Sequence, residues 1–225
     1  MRRALALLRP EPGWSASAAA ARALGLEVVG QPLFEAEPVG WQVPAGEVDA
    51  LLIGSAATLR LGGPQLAGLK HLPVHAVGEA TAAAARSAGF GVARTGEGGL
   101  QRLLDDAAGE TCRFLRLGGE ERVALAPHAG QDVAERAVYR MRPLSIAPAF
   151  AAALRDAPLV ALHSAAAARH FGAEIDRLGI ARGRLFAVAL GPRIAKAAGP
   201  GWAALHLADR PDDAALLAKA AALCK

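Results

Sequence analysis

Short apolar runs alternate with alanine-rich amphipathic stretches along the whole chain. The apolar runs Ala4–Leu8, Leu26–Val29, Asp49–Ile53, Val74–Val77, a piece near Val92, Arg113–Leu117, Leu159–Leu162, Leu185–Leu190 and Trp202–Leu207 predict strands. Asp132–Met141 alternates in character and predicts a further strand that ends at Pro143. Between them the pattern predicts helices. The first is capped by Ser15 or Ser17 and stops at Leu24-Gly25. A short one after Gly54-Ser55 is broken at Gly62-Gly63-Pro64, and others cover 79–88, 100–107, 123–129, 149–155, 165–178, 193–198 and 212–223. The stretch Glu35–Pro44 carries Pro38, Gly40 and Pro44 without periodicity and reads as a connector. Strand and helix alternate throughout, so the expected class is α/β with parallel sheets.

The pattern also repeats. DALLIGSAATLR resembles PLVALHSAAAARHF, with Ser55 matching Ser164. PVHAVGEATAAAARSAG resembles LFAVALGPRIAKAAG, with Gly78 matching Gly191, and GEGGLQRLLDDAA resembles DRPDDAALLAKAA. Three matches in one order at nearly one spacing imply two similar domains. The second copy lacks an opening strand–helix–strand unit, which residues 1–33 supply. The expected layout is a discontinuous first domain, 1–33 and 143–225, with a second domain, 34–142, inserted in it. Two strand-like crossings near Pro32–Glu35 and Val138–Pro143 join them, with an active-site cleft between the two.

Composition narrows the class. The chain has 225 residues, 53 % apolar and 20 % charged, enough to bury a real core. Its net charge is +4, with no block of like charge and no basic helix face, so nucleic acid is not an expected partner. Lys70, Lys196, Lys219 and Lys225 are the lysines, and every other cationic residue is arginine, the side chain that forks a carboxylate. Cys112 and Cys224 stand far apart in no metal spacing and read as reduced thiols of a cytosolic protein. The apolar run ALALL is shorter than a signal-peptide core, and no run approaches the roughly 18 residues of a membrane span.

Catalytic motifs are scarce. There is no GxGxxG between a strand and a helix and no Walker A run. His71 and His75 have metal-like spacing, but Pro73 between them excludes a shared helix face. His163 precedes Ser164, and adjacent strand residues point to opposite faces, so the two form no acyl-transfer dyad. What remains is a series of strand–turn–helix junctions. Ligands of open parallel sheets bind outside the carboxyl ends of the strands, where helix N-termini favour anions. Those ends carry Arg9, Ser55, Gly78, Thr81, Gly118, Ser164, Gly191 and Arg193. Tyr139, the single tyrosine, sits on the second crossing, where a phenol can donate a proton.

The order of these motifs resembles the uroporphyrinogen-III synthase family nearly end to end. The residues that carry the resemblance are LLRPE with Arg9-Pro10; DALLIGSAA; PVHAVGEATAAAARSAGF, like the family's Val-Gly-x-x-Thr-Ala helix; GGEER with Gly118 and Arg122; AVYR with Tyr139; ALHSAAA with Ser164; and ALGPRIAKAA. Two positions depart from the family pattern. Gly191-Pro192-Arg193-Ile194 stands where the family often has Gly-Pro-Thr-Thr, and Gly54 replaces a customary Thr. Two hydroxyls are lost there and a guanidinium gained, and Arg193 either takes a substrate carboxylate or points outward.

The resemblance implies two similar α/β domains on a two-strand linker, and a substrate, hydroxymethylbilane, that is a linear tetrapyrrole bearing eight carboxylates. The implied reaction closes the ring and inverts the last pyrrole, giving uroporphyrinogen III, with no cofactor and no metal. Loss of the ring A hydroxyl leaves an azafulvenium cation, which ring D attacks through its substituted carbon to form a spiro intermediate. Unaided closure gives the uninverted isomer, so the enzyme's task is orientation and electrostatics. Tyr139 is the implied proton donor to the departing hydroxyl. Ser55, Thr81, Ser164 and the turns at Gly78, Gly118 and Gly191-Pro192 would hold acetate and propionate arms, with Arg9, Arg122 and Arg193 as carboxylate partners. A cytoplasmic monomer is expected, with no membrane partner and with transient contact to neighbouring pathway enzymes. The rival reading is a two-domain binding or sensing protein that closes on a polyanion without chemistry.

Overall fold

Two predominantly parallel sheets organise the chain, and the computed structural model describes residues 3–224. In chain order the elements of the first part are β1 (Leu5–Leu7), α1 (Gly13–Ala23), β2 (Val28–Gly30), β3 (Phe34–Pro38), β4 (Ala50–Ile53) and α2 (Ala56–Leu61). A 3-10 turn, Pro64–Leu69, leads to β5 (Val74–Val77), α3 (Glu79–Ser87), β6 (Val92–Gly96), α4 (Leu100–Asp106), β7 (Cys112–Gly119) and β8 (Gln131–Pro143). Then come α5 (Pro148–Leu154), β9 (Leu159–Leu162), α6 (Ala165–Arg177), β10 (Phe186–Ala189), α7 (Pro192–Ala198), β11 (Ala204–Leu207) and α8 (Asp213–Leu223).

The strands divide into a sheet of order β11-β10-β9-β1-β2 and a sheet of order β3-β8-β7-β4-β5-β6. Within the first, β2, β1, β9, β10 and β11 pair in parallel. Within the second, β8, β7, β4, β5 and β6 do the same. Inner strands such as β1, β4 and β9 are buried at every position, because helices cover both faces of a parallel sheet. The chain forms two compact units, Met1–Glu35 with Arg142–Lys225, and Ala36–Met141.

Each unit buries apolar clusters on both faces of its sheet. In the first unit Phe171 and Val160 anchor one face and Leu7, Leu216 and Val188 the other. In the second, Ile53, Leu115 and Ala82 lie on one face and Leu52, Leu104 and Phe114 on the other. Alanine recurs at the helix–sheet contacts (Ala18, Ala21, Ala82, Ala85, Ala168), which lets the helices approach the sheets closely.

Three expectations are corrected. Glu35–Pro44 is no simple connector: Phe34–Pro38 forms β3 beside β8, where Arg140 pairs with Glu37 and Arg142 with Glu35. Residues 123–129 form no helix. Pro127 removes one amide and disfavours the helical conformation of Ala126. Side chains also take that segment's backbone groups: Arg116 Nη1 bonds the Val123 carbonyl, and Gln101 bonds both the N–H and the carbonyl of Ala126. Neither Ser15 nor Ser17 caps α1, which begins at Gly13. The Glu11 carboxylate accepts from the Ser15 N–H and hydroxyl, while Ser17 is fully buried inside the helix.

Among the described residues no helix is long and apolar enough to cross a membrane, and no cluster of His, Cys, Asp and Glu could hold a metal ion. Cys112 and Cys224 are free thiols, and burial pushes both upward from the ordinary thiol range.

Candidate active site

The carboxyl ends of β4, β5 and β7, three adjacent strands of the second unit, carry Ser55, Gly78 with Thr81, and Gly118. Ser55 ends β4 in extended conformation and caps α2, its Oγ accepting from the Ala57 N–H at 3.2 Å. Its hydroxyl proton remains available to donate. Gly78 must turn from β5 into α3 at φ 76° and ψ 152°, a conformation open in practice only to glycine. Thr81 lies in the first turn of α3 and is buried. The helix therefore starts where β5 ends, with its first amides facing that rim.

A cavity of about 170 Å³ opens beside this rim, lined by Ser55, Gly118, Arg122 and Tyr139 together with Gly54, Thr58, Leu100, Arg116, Leu117, Gly119 and Glu121. Four residues singled out from sequence thus share one hollow. Tyr139 reaches it from β8, opposite Gly119 in the β7–β8 ladder, where the register shifts. Its ring packs against the Leu115–Leu117–Val138 cluster. The strands come close here because Gly119 has no side chain: a Cβ there would stand 3.0 Å from Tyr139 Cε2 and 3.4 Å from Oη.

Two further residues escape sequence reasoning: Arg116, which lines this hollow, and its partner Glu135 behind it. Arg116 lies inside the otherwise apolar strand FLRL and is 6 % exposed. It pairs in register with Glu135 on β8, with Nη1 at 2.8 Å from Oε1. Arg122 approaches the other oxygen of Glu135, Nε to Oε2 at 3.6 Å. One carboxylate thus tethers two guanidiniums at the cavity wall. An arginine in the middle of a buried strand was the available signal, since a buried charge requires a partner.

In the first unit the corresponding rim belongs to β1, β9 and β10. Ser164 ends β9 and caps α6, its Oγ accepting from Ala167 N–H at 3.1 Å. This repeats the Ser55 junction in conformation and bond. Gly191 is N-cap of α7 in extended backbone, with Pro192 at the first helical position, so the Gly78 conformation is not repeated. Arg193 is exposed and has no partner among the described residues, whereas Ile194 turns inward to the core at 8 % exposure. Ile194, where the resemblance sets a threonine, is thus a packing residue here.

Arg9 follows β1. Its Nη1 donates to Ser17 Oγ at 2.8 Å and lies 3.2 Å from Asp213 Oδ1. His163, beyond the end of β9, places Nε2 2.7 Å from the same Asp213 oxygen. The bond from His163, with help from Ser17 and the charge of Arg9, holds the Asp213 carboxyl below its ordinary range.

Comparison with known proteins decides the family. The chain matches the model of the family described as uroporphyrinogen-III synthase HemD over residues 15–218. It belongs to the uroporphyrinogen-III synthase family. Among solved structures it is similar to a uroporphyrinogen-III synthetase from Helicobacter pylori 26695 at 18 % identity and TM-score 0.67, over 98 % of this chain and 99 % of that one. A mutant uroporphyrinogen III synthase from the extreme thermophile Thermus thermophilus aligns at 19 % identity and TM-score 0.50, over 99 % and 100 %. Identities this low speak for the fold, and the family assignment rests on the sequence model. No curated protein sequence matches the chain. The sequence resemblance and the two-sheet α/β architecture agree with membership of this family of tetrapyrrole-biosynthetic enzymes.

Proposed function

We propose that this chain is a cytoplasmic, monomeric cyclising hydro-lyase that converts hydroxymethylbilane to uroporphyrinogen III. The observation that carries the reading at the level of residues is the cavity shared by Ser55, Gly118, Arg122 and Tyr139. Its chemistry suits a reaction that needs a proton for a leaving hydroxyl and anchors for carboxylates, and otherwise depends on how the chain is folded.

In this reading Tyr139 Oη donates the proton on which the ring A hydroxyl leaves as water. Arg122, tethered by Glu135, forks one carboxylate arm, and Ser55 donates its free hydroxyl proton to another. The buried Arg116 fixes Glu135 and so positions Arg122. Further arms lie along the amides that follow Gly78, with Thr81 beside them, and in the first unit along Arg9, Ser164, Gly191-Pro192 and Arg193. No cofactor, metal, nucleic acid or membrane enters the scheme. The distribution of anchors over several junctions fits a substrate with many carboxylates, whose conformation is set by the sum of modest contacts.

The test is isomer analysis of the oxidised product after incubation with enzymatically generated bilane. Isomer III is expected. A protein that bound bilane without turning it over would leave the isomer I of spontaneous closure. Tyr139→Phe is expected to lower turnover by about a hundredfold, within the range typical of general acid catalysis, with KM nearly unchanged. Wild-type turnover in that variant would remove Tyr139 from the chemistry.

A further inference from the structure

Four side chains from three separate stretches of the sequence meet at the rim of the first unit: Arg9, Ser17, His163 and Asp213. The serine is completely buried and the imidazole side chain nine-tenths buried. Asp213 accepts hydrogen bonds from two of them and forms an ion pair with the third. Ser17 Oγ donates to Oδ2 at 2.7 Å, while His163 Nε2 at 2.7 Å and Arg9 Nη1 at 3.2 Å approach Oδ1. An ionised carboxylate has only acceptors, so Nε2 of His163 carries its proton. The other ring nitrogen, Nδ1, is buried and has no hydrogen-bond partner among the described residues, so the imidazole's polar tie there runs through Asp213.

The network commits only one nitrogen of Arg9. Nε and Nη2, the edge that forks a carboxylate, have no partner among the described residues, and the side chain is 31 % exposed. The guanidinium is also fixed from below. A Cβ at Gly13 would stand 2.5 Å from Arg9 Nε, 2.9 Å from Cζ and 3.1 Å from Nη2, so the group lies across the bare Cα of the first residue of α1. Trp14 pins that turn to the end of β1 through its Nε1 bond to the Leu7 carbonyl.

We infer that Gly13, Ser17, Asp213 and His163 form a bracket that aims the free edge of Arg9 at a substrate carboxylate. Asp213 and Gly13 are positioning residues, acting through Arg9. The inference rests on the reading of Arg9 as a carboxylate partner and adds what makes that arginine rigid. A loose arginine would lose side-chain entropy each time it bound an anion, and the bracket removes that loss before substrate arrives.

Gly13→Ala separates positioning from stability. Alanine is the better helix former, and Gly13 does not have the positive φ that would require glycine. The added methyl displaces only the end of the Arg9 side chain. Steady-state kinetics with enzymatically generated bilane would compare Arg9→Met, Gly13→Ala and Asp213→Asn, each with its melting temperature. Arg9→Met is expected to raise KM about tenfold, as loss of a charge-assisted bond does. Gly13→Ala is expected to raise KM about fivefold, with kcat within about twofold and melting at or above wild type. Asp213→Asn is expected to move KM in the same sense. Wild-type KM in Gly13→Ala, with Arg9→Met impaired, would overturn the bracket and leave Arg9 as a carboxylate partner. Wild-type KM in Arg9→Met would retire both. If Gly13→Ala melts below wild type, Asp213→Asn decides: a raised KM at unchanged kcat supports the bracket, and a wild-type KM overturns it.

Discussion

Gly119→Ala tests the proposed role of Tyr139 without altering the phenol. Gly119 lies opposite Tyr139 and outside the positive-φ region, so alanine meets no backbone strain there. It meets the ring. The new methyl would sit 3.0 Å from Cε2, 3.1 Å from Cζ and 3.4 Å from Oη, against ordinary contact beginning at 3.4 Å. The ring must therefore retreat by about 0.4 Å from a position set by its packing on the Val138 cluster. Misplacement of a catalytic group by about 1 Å costs on the order of a hundredfold, so 0.4 Å corresponds to roughly sixfold in kcat. Stopped-time assays with isomer analysis would measure this, because slower enzymatic closure lets spontaneous isomer I accumulate. If Tyr139 is only a filler between strands, Gly119→Ala will alter melting and leave kcat at the wild-type value. That result would refute the argument from ring position even if Tyr139→Phe proved slow.

Other predictions concern the frame. Glu174 is buried at 7 % exposure, accepts a fork from Arg177 and bonds the Ile146 N–H at 2.7 Å; these hold its carboxyl down to about 2 from an ordinary 4.5. A depressed carboxyl contributes stability above its unfolded pKa, and the contribution disappears as pH falls from about 4.5 toward 2. Glu174→Gln should therefore cost about 2 kcal/mol at pH 7 and much less at pH 3, read from melts at both values. Phe171→Ala should destabilise the first unit by about 3–5 kcal/mol in urea titrations, since Phe171 is fully buried against Phe150 and Trp202. Gly78→Ala should cost about 1–3 kcal/mol through strain at φ 76°, although no atom crowds the new methyl, and thermal melting would show it.

Local pattern was enough to read the buried strands. Val74–Val77 and Leu159–Leu162 are found with the bounds that their runs suggest: both faces of Leu159–Leu162 are covered and all four of its positions are apolar, while Val74–Val77 keeps its strand around one buried histidine, His75. The Ser55 and Ser164 junctions were legible for a similar reason: a serine before an alanine-rich run is a capping signal whose partner lies within three residues. Failures came where distant residues decide. In β3, FEAEP runs into Pro38, Gly40 and Pro44 and reads as a connector, whereas Arg140 and Arg142 on β8 supply partners for Glu37 and Glu35. The 120–130 loop hangs on Gln101 and Arg116, and Ser17 finds Asp213 across 196 residues of sequence. No periodicity encodes such pairings. A buried strand arginine, Arg116, was the one mark of them visible in the sequence.

The repeat helps to separate scaffold from chemistry. What the two units share is structural: a serine cap after an inner strand, then a glycine turn after the neighbouring strand. Ser55 and Ser164 each commit an acceptor to a helix amide, so their shared retention follows from capping alone. What the units do not share is the charged and phenolic side chains. The second unit has Tyr139 with Arg116, Arg122 and Glu135; the first has Arg9 with Ser17, His163 and Asp213. A duplicated fold that only bound one anionic group twice would have kept those sets alike. Their divergence fits a substrate whose ends differ, one end requiring a proton for departure and the other requiring carboxylates held in place. On this reasoning exchange of Ser55 or Ser164 for alanine moves stability at least as much as KM, whereas changes at Tyr139 and Arg9 act on turnover and affinity.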